Sequence, residues 1–226
     1  MPCDYIALEE HLDLFKIVVA DVIEKITIVQ EPVFFKNLKQ NQYSDLIFEG
    51  SQGILLDMDH GFFPNVTRAN TTSKYALKLI QRNQLPQPSL YYITRAYQTR
   101  HGNGYLTNER LELNYTPNPK ETNQYNSWQR HQRCTLLDID MLNYAIQSDR
   151  NYSGDLPKNL VVTCLDQLNG NIHATLDGEI LEFEKTQELL PLLDLEVEQL
   201  LESYSDCGVH MKKVDLSRRA ILNEEF

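Results

Sequence analysis

The chain has 226 residues, of which 42% are hydrophobic and 23% are charged, and its formal net charge is −11. A chain of this length can bury an adequate core without a disulfide or a structural metal, so we expect a single domain over residues 1–226. The excess of 32 acidic over 21 basic residues argues against a nonspecific nucleic-acid binder, because such a surface repels polyphosphate.

The hydropathy pattern disfavours a membrane protein. No apolar run approaches the roughly 20 residues that a membrane span needs. The first ten residues lack the basic region and apolar run of a signal peptide. We therefore expect a soluble, cytoplasmic protein with no membrane partner. The four cysteines and six histidines show no paired ligand spacing, so we expect no metal held by this chain alone.

The order of predicted elements indicates the fold class. The predicted elements are a helix over 6–28, a strand over 45–48, a strand over 90–94, a helix over 136–146 and a strand over 160–163. Helices and strands that alternate in this way predict an α/β fold with a mostly parallel sheet flanked by helices.

Two further segments differ in kind from these elements. Residues 99–133 form a long polar loop, rich in Asn, Gln, Thr and Pro, and loops of this length in compact domains usually carry function. From about residue 186 to residue 204, leucines recur on one side and acidic residues on the others. This pattern predicts a C-terminal surface helix.

The segment over 49–72 has the highest density of small and polar residues that could carry chemistry. Gly50 and Gly53 flank Gln52, so the backbone can approach a ligand closely while the Gln52 amide offers both a donor and an acceptor. Such groups can bind a nucleotide. The alternative is a turn network in which Asp57, Asp59 and neighbouring side chains only bond local backbone. The residues alone leave both interpretations open.

Residues 48–72 resemble the central signature of the adenylosuccinate synthetase family. The family's usual order is Phe-Glu-Gly-Ala-Gln-Gly, then Leu-Leu-Asp-x-Asp-His-Gly, then Pro-x-Val-Thr-x-x-Asn-Thr-Thr, and this chain follows it without a gap, with Ser51 in place of the alanine. Three later segments are similar to the family in the same order. They are 96–104, similar to Ala-Tyr-x-Thr-Arg-x-Gly-x-Gly, 130–138, similar to the arginine loop, and 163–166, similar to Thr-Lys-x-Asp.

The resemblance implies a fold related to the P-loop NTPases and a two-step ligase reaction. GTP phosphorylates the 6-oxygen of inosine monophosphate (IMP), and aspartate then displaces that phosphate to give adenylosuccinate. By matched position, Gln52, Gly53, Thr67 and Arg130 would bind the purine nucleotide monophosphate.

The resemblance also assigns anion-binding and base-binding residues. Arg130 and Arg133 would bind the aspartate carboxylate or another anion, for which the planar guanidinium fork is suited. Asp166 would accept hydrogen bonds from the base of the nucleoside triphosphate, beside Cys164. Without the resemblance, the two arginines would be interpreted as solvated surface residues, and Asp166 as a turn residue at the end of a strand.

The chain departs from the family pattern at the phosphate-binding loop. The family's Gly-Asp-Glu-Gly-Lys-Gly-Lys loop, and the aspartate base and histidine acid of its N-terminal half, do not occur in this sequence. Phosphoryl transfer needs such a backbone nest and lysine. We therefore expect the fold to lack that half, assign no catalytic residue, and expect the chain to be inactive alone. Mg and GTP or ATP would be held only in a complex.

Smaller departures affect the predicted nucleotide and anion sites. Cys164 replaces the family's base-recognising lysine, which puts a guanine preference in doubt. Gln132 stands where a second arginine is expected, and Ser127-Trp128-Gln129 replaces Thr-Thr-Gly. Each change weakens or alters the binding of an anion or a base.

Two hypotheses follow from the matches and departures. In the first, this chain supplies the IMP and aspartate side of a ligase, and a partner chain supplies the glycine-rich phosphate loop. In the second, the chain is a catalytically inactive relative that acts as a nucleotide sensor or as a regulatory or assembly subunit. In both, an unpaired sheet edge would favour a homo-oligomer or a complex with the partner chain.

Overall fold

The computed structural model describes residues 8–41, 43–121, 125, 127–128, 130–204 and 211–216. The chain divides into two compact units, Met1–Phe48 and Glu49–Phe226. That the whole chain folds as a single domain stays a prediction.

The first unit is helical in its described residues. Helix α1 spans Leu8–Lys25 and confirms the predicted helix. Helix α2 spans Glu31–Gln40, where no element was predicted, and has Pro32 in its first turn, where no backbone N–H is required. The strand predicted over 45–48 is wrong, because these residues form no regular element. Three apolar residues are too few for periodicity to identify a strand.

The second unit combines two longer helices with short strands. Among its described residues the helices are α3 (Lys74–Arg82) and α4 (Ile139–Ser153), and the strands are β1 (Leu90–Arg95), β2 (Gln98–Arg100), β3 (Arg133–Thr135), β4 (Leu137–Asp138), β5 (Lys158–Thr163), β6 (Ile172–Leu176), β7 (Glu179–Phe183), β8 (Gln199–Ser203) and β9 (Met211–Lys213).

The main sheet has the order β1-β5-β8-β9. Strands β1, β5 and β8 are parallel, with Tyr92 opposite Leu160, and β9 is antiparallel to β8. The predicted strands over 90–94 and 160–163 are therefore confirmed, as is the mostly parallel α/β fold flanked by helices. Val162 is fully buried in β5, in keeping with a strand covered on both faces.

Helix α4 begins three residues later than the predicted helix. Leu137 and Asp138 form β4, which pairs in parallel with β6, and β7 then pairs antiparallel with β6. The Asp138 side chain accepts from the Met141 N–H at 3.1 Å and so caps α4. An aspartate at this position satisfies a helix N–H that would otherwise lack a partner.

The C-terminal surface helix predicted from about residue 186 is wrong. Residues Thr186–Leu192 form a 3-10 helix, and Gln199–Ser203 form strand β8. In β8, Leu200 and Glu202 are both buried, and the Thr186 hydroxyl donates to Glu202 Oε1 at 2.5 Å. The leucine pairs that suggested helical spacing belong to two short elements that contact the same core.

The polar loop over 99–133 has little regular structure in its described part. Between the end of β2 and the start of β3, Tyr115 forms a single bridge with Leu168. Strands β2 and β3 pair antiparallel and join the two ends of the loop, with Arg100 opposite Arg133. None of the helices in the described part of the chain has the length and apolar character needed to cross a bilayer.

Candidate functional site

A buried carboxylate, Asp57, holds together the loop that carries the family-like signature. Its side chain is fully buried and accepts from the N–H groups of Asp59 at 2.8 Å, His60 at 3.1 Å and Thr71 at 2.5 Å. The Thr71 hydroxyl and the Asn70 amide add longer bonds, at 3.3 and 3.5 Å. One side chain therefore joins the turn at 57–60 to the segment at 70–71.

The electrostatics of Asp57 follow from these bonds. Burial by itself would raise the pKa of Asp57, but the N–H groups of Thr71, Asp59 and His60 stabilise the ionised form and lower that pKa below its usual value. Gly61 closes the turn, since a Cβ there would lie 2.6 Å from the Asp57 carbonyl oxygen. The signature's Asp-x-Asp-His-Gly order thus has a local structural reason.

Asp59 and Asn70 form a second, exposed part of the same network. The Asn70 amide donates to Asp59 Oδ2 at 2.8 Å, and Lys74 Nζ lies 3.3 Å from the same oxygen. Hydrogen bonds from Asn70 and then from Lys74 lower the pKa of Asp59. The carboxylates of Asp57 and Asp59 are therefore used within the loop, as the turn-network alternative expects, whereas Asn70 Oδ1 is buried without a partner among the described residues.

The start of helix α3 is fixed by a buried carboxylate on α4. Asp149 is 5% exposed and accepts from the Ser73 N–H at 2.6 Å and from the Ser73 hydroxyl at 3.0 Å. The Tyr92 hydroxyl of β1 donates to the same carboxylate at 2.7 Å. The loop that ends at residue 72 is therefore anchored to both a helix and the main sheet.

Three of the four predicted nucleotide-binding residues, Gln52, Gly53 and Thr67, lie in the segment over 49–72 that contains Asp57. Thr67 donates its N–H to the Leu56 carbonyl at 2.8 Å, and Leu56 donates to the Gly53 carbonyl at 2.9 Å. Gln52 is exposed and has a φ of 64°, a left-handed conformation that costs about 1 kcal/mol for a non-glycine residue. Within the described residues the Gln52 side chain has no hydrogen-bond partner.

Arg133, predicted to bind an anion, is engaged by groups of the protein itself. Its Nη1 lies 2.6 Å from Glu109 Oε1, and its Nη2 donates to the carbonyls of Gly102 at 2.8 Å and Gly104 at 2.9 Å. These contacts tie the two ends of the polar loop together. In this conformation Arg133 is a structural residue, and an incoming anion would have to compete with Glu109.

A second arginine, Arg100, is buried beside Arg133. It is 5% exposed and donates to the carbonyls of Asn65 at 2.8 Å and Asn103 at 3.2 Å. Burial, and then the like charge of Arg133, lower the pKa of Arg100. Gly104 has a φ of +115°, and a Cβ there would lie 2.3 Å from Arg100 Nη2. Arg100 thus joins the polar loop to the loop that carries Thr67.

Arg130 differs from Arg100 and Arg133 in its surroundings. It is exposed, has a φ of 62°, and its guanidinium has no partner among the described residues. A non-glycine residue in the left-handed region is uncommon and often marks a functional position. Of the two arginines predicted from the sequence to bind an anion, Arg130 is the one whose donors no other described residue uses.

Asp166 and Cys164 follow the carboxyl end of the parallel strand β5. Cys164 adopts a φ of 61° and begins the 3-10 helix Leu165–Gln167. Asp166 is exposed and lines an open cleft with a volume of about 310 Å³, together with Gln167 and residues 116–120. Ligands of open α/β sheets commonly bind beyond the carboxyl ends of the strands, which is where this cleft lies.

The cleft also contains a group that the sequence reasoning missed. The Tyr97 hydroxyl donates to Gln167 Oε1 at 2.6 Å, and Arg95 Nη1 donates to the Tyr97 hydroxyl at 3.4 Å. Gln167 directly follows Asp166 in the sequence, and this position was the signal that could have identified Gln167 as a site residue. No pattern linked Gln167 to Tyr97, which is 70 residues away.

The described residues fit a nucleotide better than a metal. No group of three or more His, Cys, Asp or Glu side chains in the described part of the chain could hold a metal ion. The described site residues instead offer amide, guanidinium and single carboxylate groups on loops, the donors and acceptors that bind bases and anions.

The sequence of the chain is similar to those of adenylosuccinate synthetases. The profile of the adenylosuccinate synthetase family matches residues 4–215. The adenylosuccinate synthetase of Emericella nidulans is 30% identical over 174 residues, which are 75% of this chain and 40% of that protein. The one from Flavobacterium psychrophilum is 37% identical over 109 residues, which are 48% of this chain and 26% of that protein.

The structural comparison supports the same fold. The structure of fully ligated adenylosuccinate synthetase from Plasmodium falciparum superposes with a TM-score of 0.50 at 23% sequence identity, covering 93% of this chain and 46% of that one. The chain therefore spans less than half the length of these relatives. The match of the family profile to nearly the whole sequence shows that the chain belongs to the adenylosuccinate synthetase family.

Proposed function

We propose that this chain supplies the IMP and aspartate side of an NTP-dependent C–N ligase. A second chain would supply the glycine-rich phosphate loop, which does not occur in this sequence. In the reaction, the triphosphate transfers its terminal phosphoryl group to the 6-oxygen of IMP and leaves as a diphosphate. The aspartate amine then forms a bond to C6, and inorganic phosphate leaves to give adenylosuccinate.

One observation carries the proposal. The Asp57 carboxylate fixes the loop over 57–71 through bonds to three backbone N–H groups, whereas the nearby Gln52 amide is exposed without a partner among the described residues. Gln52 precedes this loop and is connected to it through the bond from the Leu56 N–H to the Gly53 carbonyl at 2.9 Å. An unpaired amide in a strained backbone conformation beside a fixed loop is typical of a binding site prepared before its ligand arrives. We assign Gln52, Gly53 and Thr67 to the nucleotide monophosphate.

Arg130 is proposed to bind the anionic groups of the substrates. An exposed guanidinium can pair with a carboxylate or a phosphate through two parallel hydrogen bonds. The net charge of the chain is −11, so an anionic ligand must be held by such local groups. This chain's contribution to the reaction is therefore to bind and orient IMP and aspartate. Charge neutralisation of the triphosphate, with Mg, is left to the partner.

The base of the triphosphate is assigned to the cleft beside β5. Asp166 offers two acceptor oxygens for adjacent N–H groups of a purine. The cleft's position beyond the carboxyl end of β5 supports this assignment. GTP and ATP are both candidates in the complex, because Cys164 replaces the lysine of the family pattern.

The proposal is tested by titrating IMP into the chain in a calorimeter. Gln52→Ala should weaken IMP binding about fivefold or more, because one hydrogen bond to the nucleotide is lost. Gln81→Ala is the matched control, since Gln81 is exposed on α3 away from the loop. Arg130→Ala should weaken binding further. Arg110 is also exposed in the polar loop but has no assigned role, so Arg110→Ala should have no effect. Equal IMP affinity in all of these proteins would contradict the assignment.

A noncatalytic role is the second candidate, and Arg133 supports it. The guanidinium of Arg133 is already paired with Glu109 and the loop carbonyls, and Gln132 adds no positive charge. The anion site would then contain one available arginine, enough for binding a nucleotide but weak for stabilising a phosphoryl transition state. This candidate predicts nucleotide binding without turnover in any complex.

Association with another chain is part of the proposal. In the described residues β1 is an edge strand of the main sheet, and its Ile93 side chain is 70% exposed. Exposed apolar strand edges favour pairing with another chain. Light scattering after gel filtration should therefore give a mass above that of one chain, either as a homo-oligomer or with the phosphate-loop partner.

A further inference from the structure

We propose that the apolar face of helix α1 is the surface that docks the phosphate-loop chain, through a helix of that chain with acidic flanks. The inference rests on the proposed function, because it concerns the same partner. It names the part of this chain that recognises the partner and the kind of surface that the partner presents.

The first unit has almost no core of its own. Phe35, at 7% exposed, is the one buried hydrophobic side chain among its described residues. On α1, by contrast, Leu12 is 47%, Phe15 is 64% and Val22 is 42% exposed. Small units that bury so little apolar surface depend on a metal, a disulfide or association. The described residues of this unit include no cysteine and no group that could hold a metal, so association is the remaining means.

The apolar residues of α1 follow a heptad spacing. In a heptad written abcdefg, the a positions are Leu12, Val19 and Ile26, and the d positions include Phe15 and Val22. Ile26 directly follows the last residue of α1, and its N–H still donates to the Val22 carbonyl at 3.1 Å. Spacings that alternate between three and four residues keep one seam facing a second helix over several turns. This face therefore fits a helix that lies along α1.

The charged residues that flank the seam disfavour a second copy of this chain. They are Glu9 and Lys16 at e positions and His11 and Lys25 at g positions. In a fully overlapped antiparallel pair of copies, Lys16 would lie beside Lys16 of the second copy, and His11 beside Lys25. In a parallel pair, His11 would lie beside Lys16. Neither pair matches opposite charges across the seam, so the flanks select a different helix, one that carries Asp or Glu there.

The part of the fold that this chain lacks identifies the occupant. Helices α1 and α2 lie within residues 4–215, which the family profile matches, so both belong to the family's fold. The match to the Plasmodium falciparum structure covers 46% of that chain, so more than half of it has no counterpart here. Leu14 and Ile17 are also exposed, outside the seam, and a single added helix would not cover them. A chain that carries the rest of the fold has enough surface to cover both.

A lipid surface fits the same face less well. Helix α1 has five acidic and two basic residues. Helices that lie on membranes typically carry Lys and Arg along their polar face, because anionic lipids attract them. The charge of α1 therefore favours a protein as the occupant.

The first test places a photoreactive benzoylphenylalanine in place of Phe15, in the full chain and in the cells that produce it. Mass spectrometry then identifies the cross-linked protein, which we expect to carry a glycine-rich phosphate loop. The same group in place of Glu24, at an f position on the opposite side of α1, should give at least tenfold less of this product. A cross-link to a second copy, to a protein without such a loop, or to no protein, as at a lipid surface, would overturn the inference.

Titration of the purified cross-linked polypeptide then measures the contribution of the seam. Phe15→Lys and Val22→Lys should each weaken its binding at least tenfold, because a charge enters an apolar contact. Lys16→Glu should weaken it about threefold, since the substituted side chain would repel an acidic flank. Glu24→Lys is the control and should change the affinity less than twofold. Equal affinities of Phe15→Lys and Glu24→Lys, with helicity retained in circular dichroism, would overturn the inference.

IMP binding separates the failure of this inference from that of the proposed function. Gln52, Gly53 and Thr67 lie in the second unit, so Phe15→Lys should leave the affinity for IMP unchanged. If IMP binds as proposed while Phe15→Lys docks the partner normally, only the role of α1 is overturned. If IMP does not bind the unaltered chain, the nucleotide assignment fails whatever the cross-link shows.

Discussion

Replacement of Asp57 by asparagine should destabilise the second unit. The carboxylate uses one oxygen for the N–H groups of Asp59 and His60 and the other for the N–H of Thr71. An asparagine side chain has only one oxygen, so it can accept hydrogen bonds at only one of these two positions. Its amide NH2 then faces a backbone donor, whichever way the side chain turns.

The size of the effect can be worked from these bonds. Loss of one hydrogen bond to a charged acceptor costs about 1.5–3 kcal/mol, and a buried donor left unsatisfied costs about 1–3 kcal/mol. Asp57→Asn should therefore lower the free energy of unfolding by about 3 kcal/mol. For a unit of this size, that loss lowers the melting temperature by roughly 6–12 °C.

The assay is thermal and urea unfolding followed by circular dichroism, with Asp155→Asn as the control. Asp155 is exposed, so its replacement should change the melting temperature by no more than a degree or two. A melting temperature of Asp57→Asn equal to that of the control would refute the claim that this carboxylate organises the loop.

The same variant has a defined pH dependence. The pKa of Asp57 in the folded chain lies below its ordinary value of 3.8, so its contribution to stability is present above that value and is lost as the pH falls through the folded-state pKa. The wild type should therefore lose stability in acid more steeply than Asp57→Asn. Parallel stability curves below pH 4 would contradict this sign.

Two further substitutions test the anchoring of the polar loop and of the signature loop. Gly104→Ala should lower the free energy of unfolding by about 3 kcal/mol, because the new Cβ would collide with Arg100 at a φ of +115°. Gly178→Ala, at a φ of +83° in open space in the turn between β6 and β7, should cost only about 1 kcal/mol; equal losses in urea unfolding would count against the collision. Tyr92→Phe should cost about 2 kcal/mol, because its hydroxyl donates to the buried Asp149 carboxylate, and a loss below about 0.5 kcal/mol would show that this bond contributes little.

The parallel sheet could be predicted where strand composition and burial agree. Residues 90–94 and 160–163 are rich in aromatic and β-branched side chains, and both form strands in parallel register. The tail could not be predicted, because its leucines at helical spacing lie in a 3-10 helix and in a strand that needs β5 and β9 as neighbours. Pairing between distant strands is not encoded in local periodicity.

The candidate site was predicted in its residue types but not in its internal contacts. The order of residues 48–72 identified the loop and placed Gln52 and Thr67 on it. It could not show that Asp57 would be used by the backbone, or that Arg133 would pair with Glu109, 24 residues away. A side chain's availability depends on such tertiary partners, and these are set by the folding of the polar loop.

The most direct test of the proposed ligase role is turnover in a verified complex with a polypeptide that carries the glycine-rich phosphate loop. The complex should convert IMP, aspartate and GTP or ATP to adenylosuccinate, detected by chromatography, whereas each chain alone should not. Arg130→Ala in this chain should reduce turnover by at least tenfold, and Arg110→Ala should leave it unchanged. A stable complex that binds IMP but forms no adenylosuccinate would contradict the ligase role and favour the noncatalytic one.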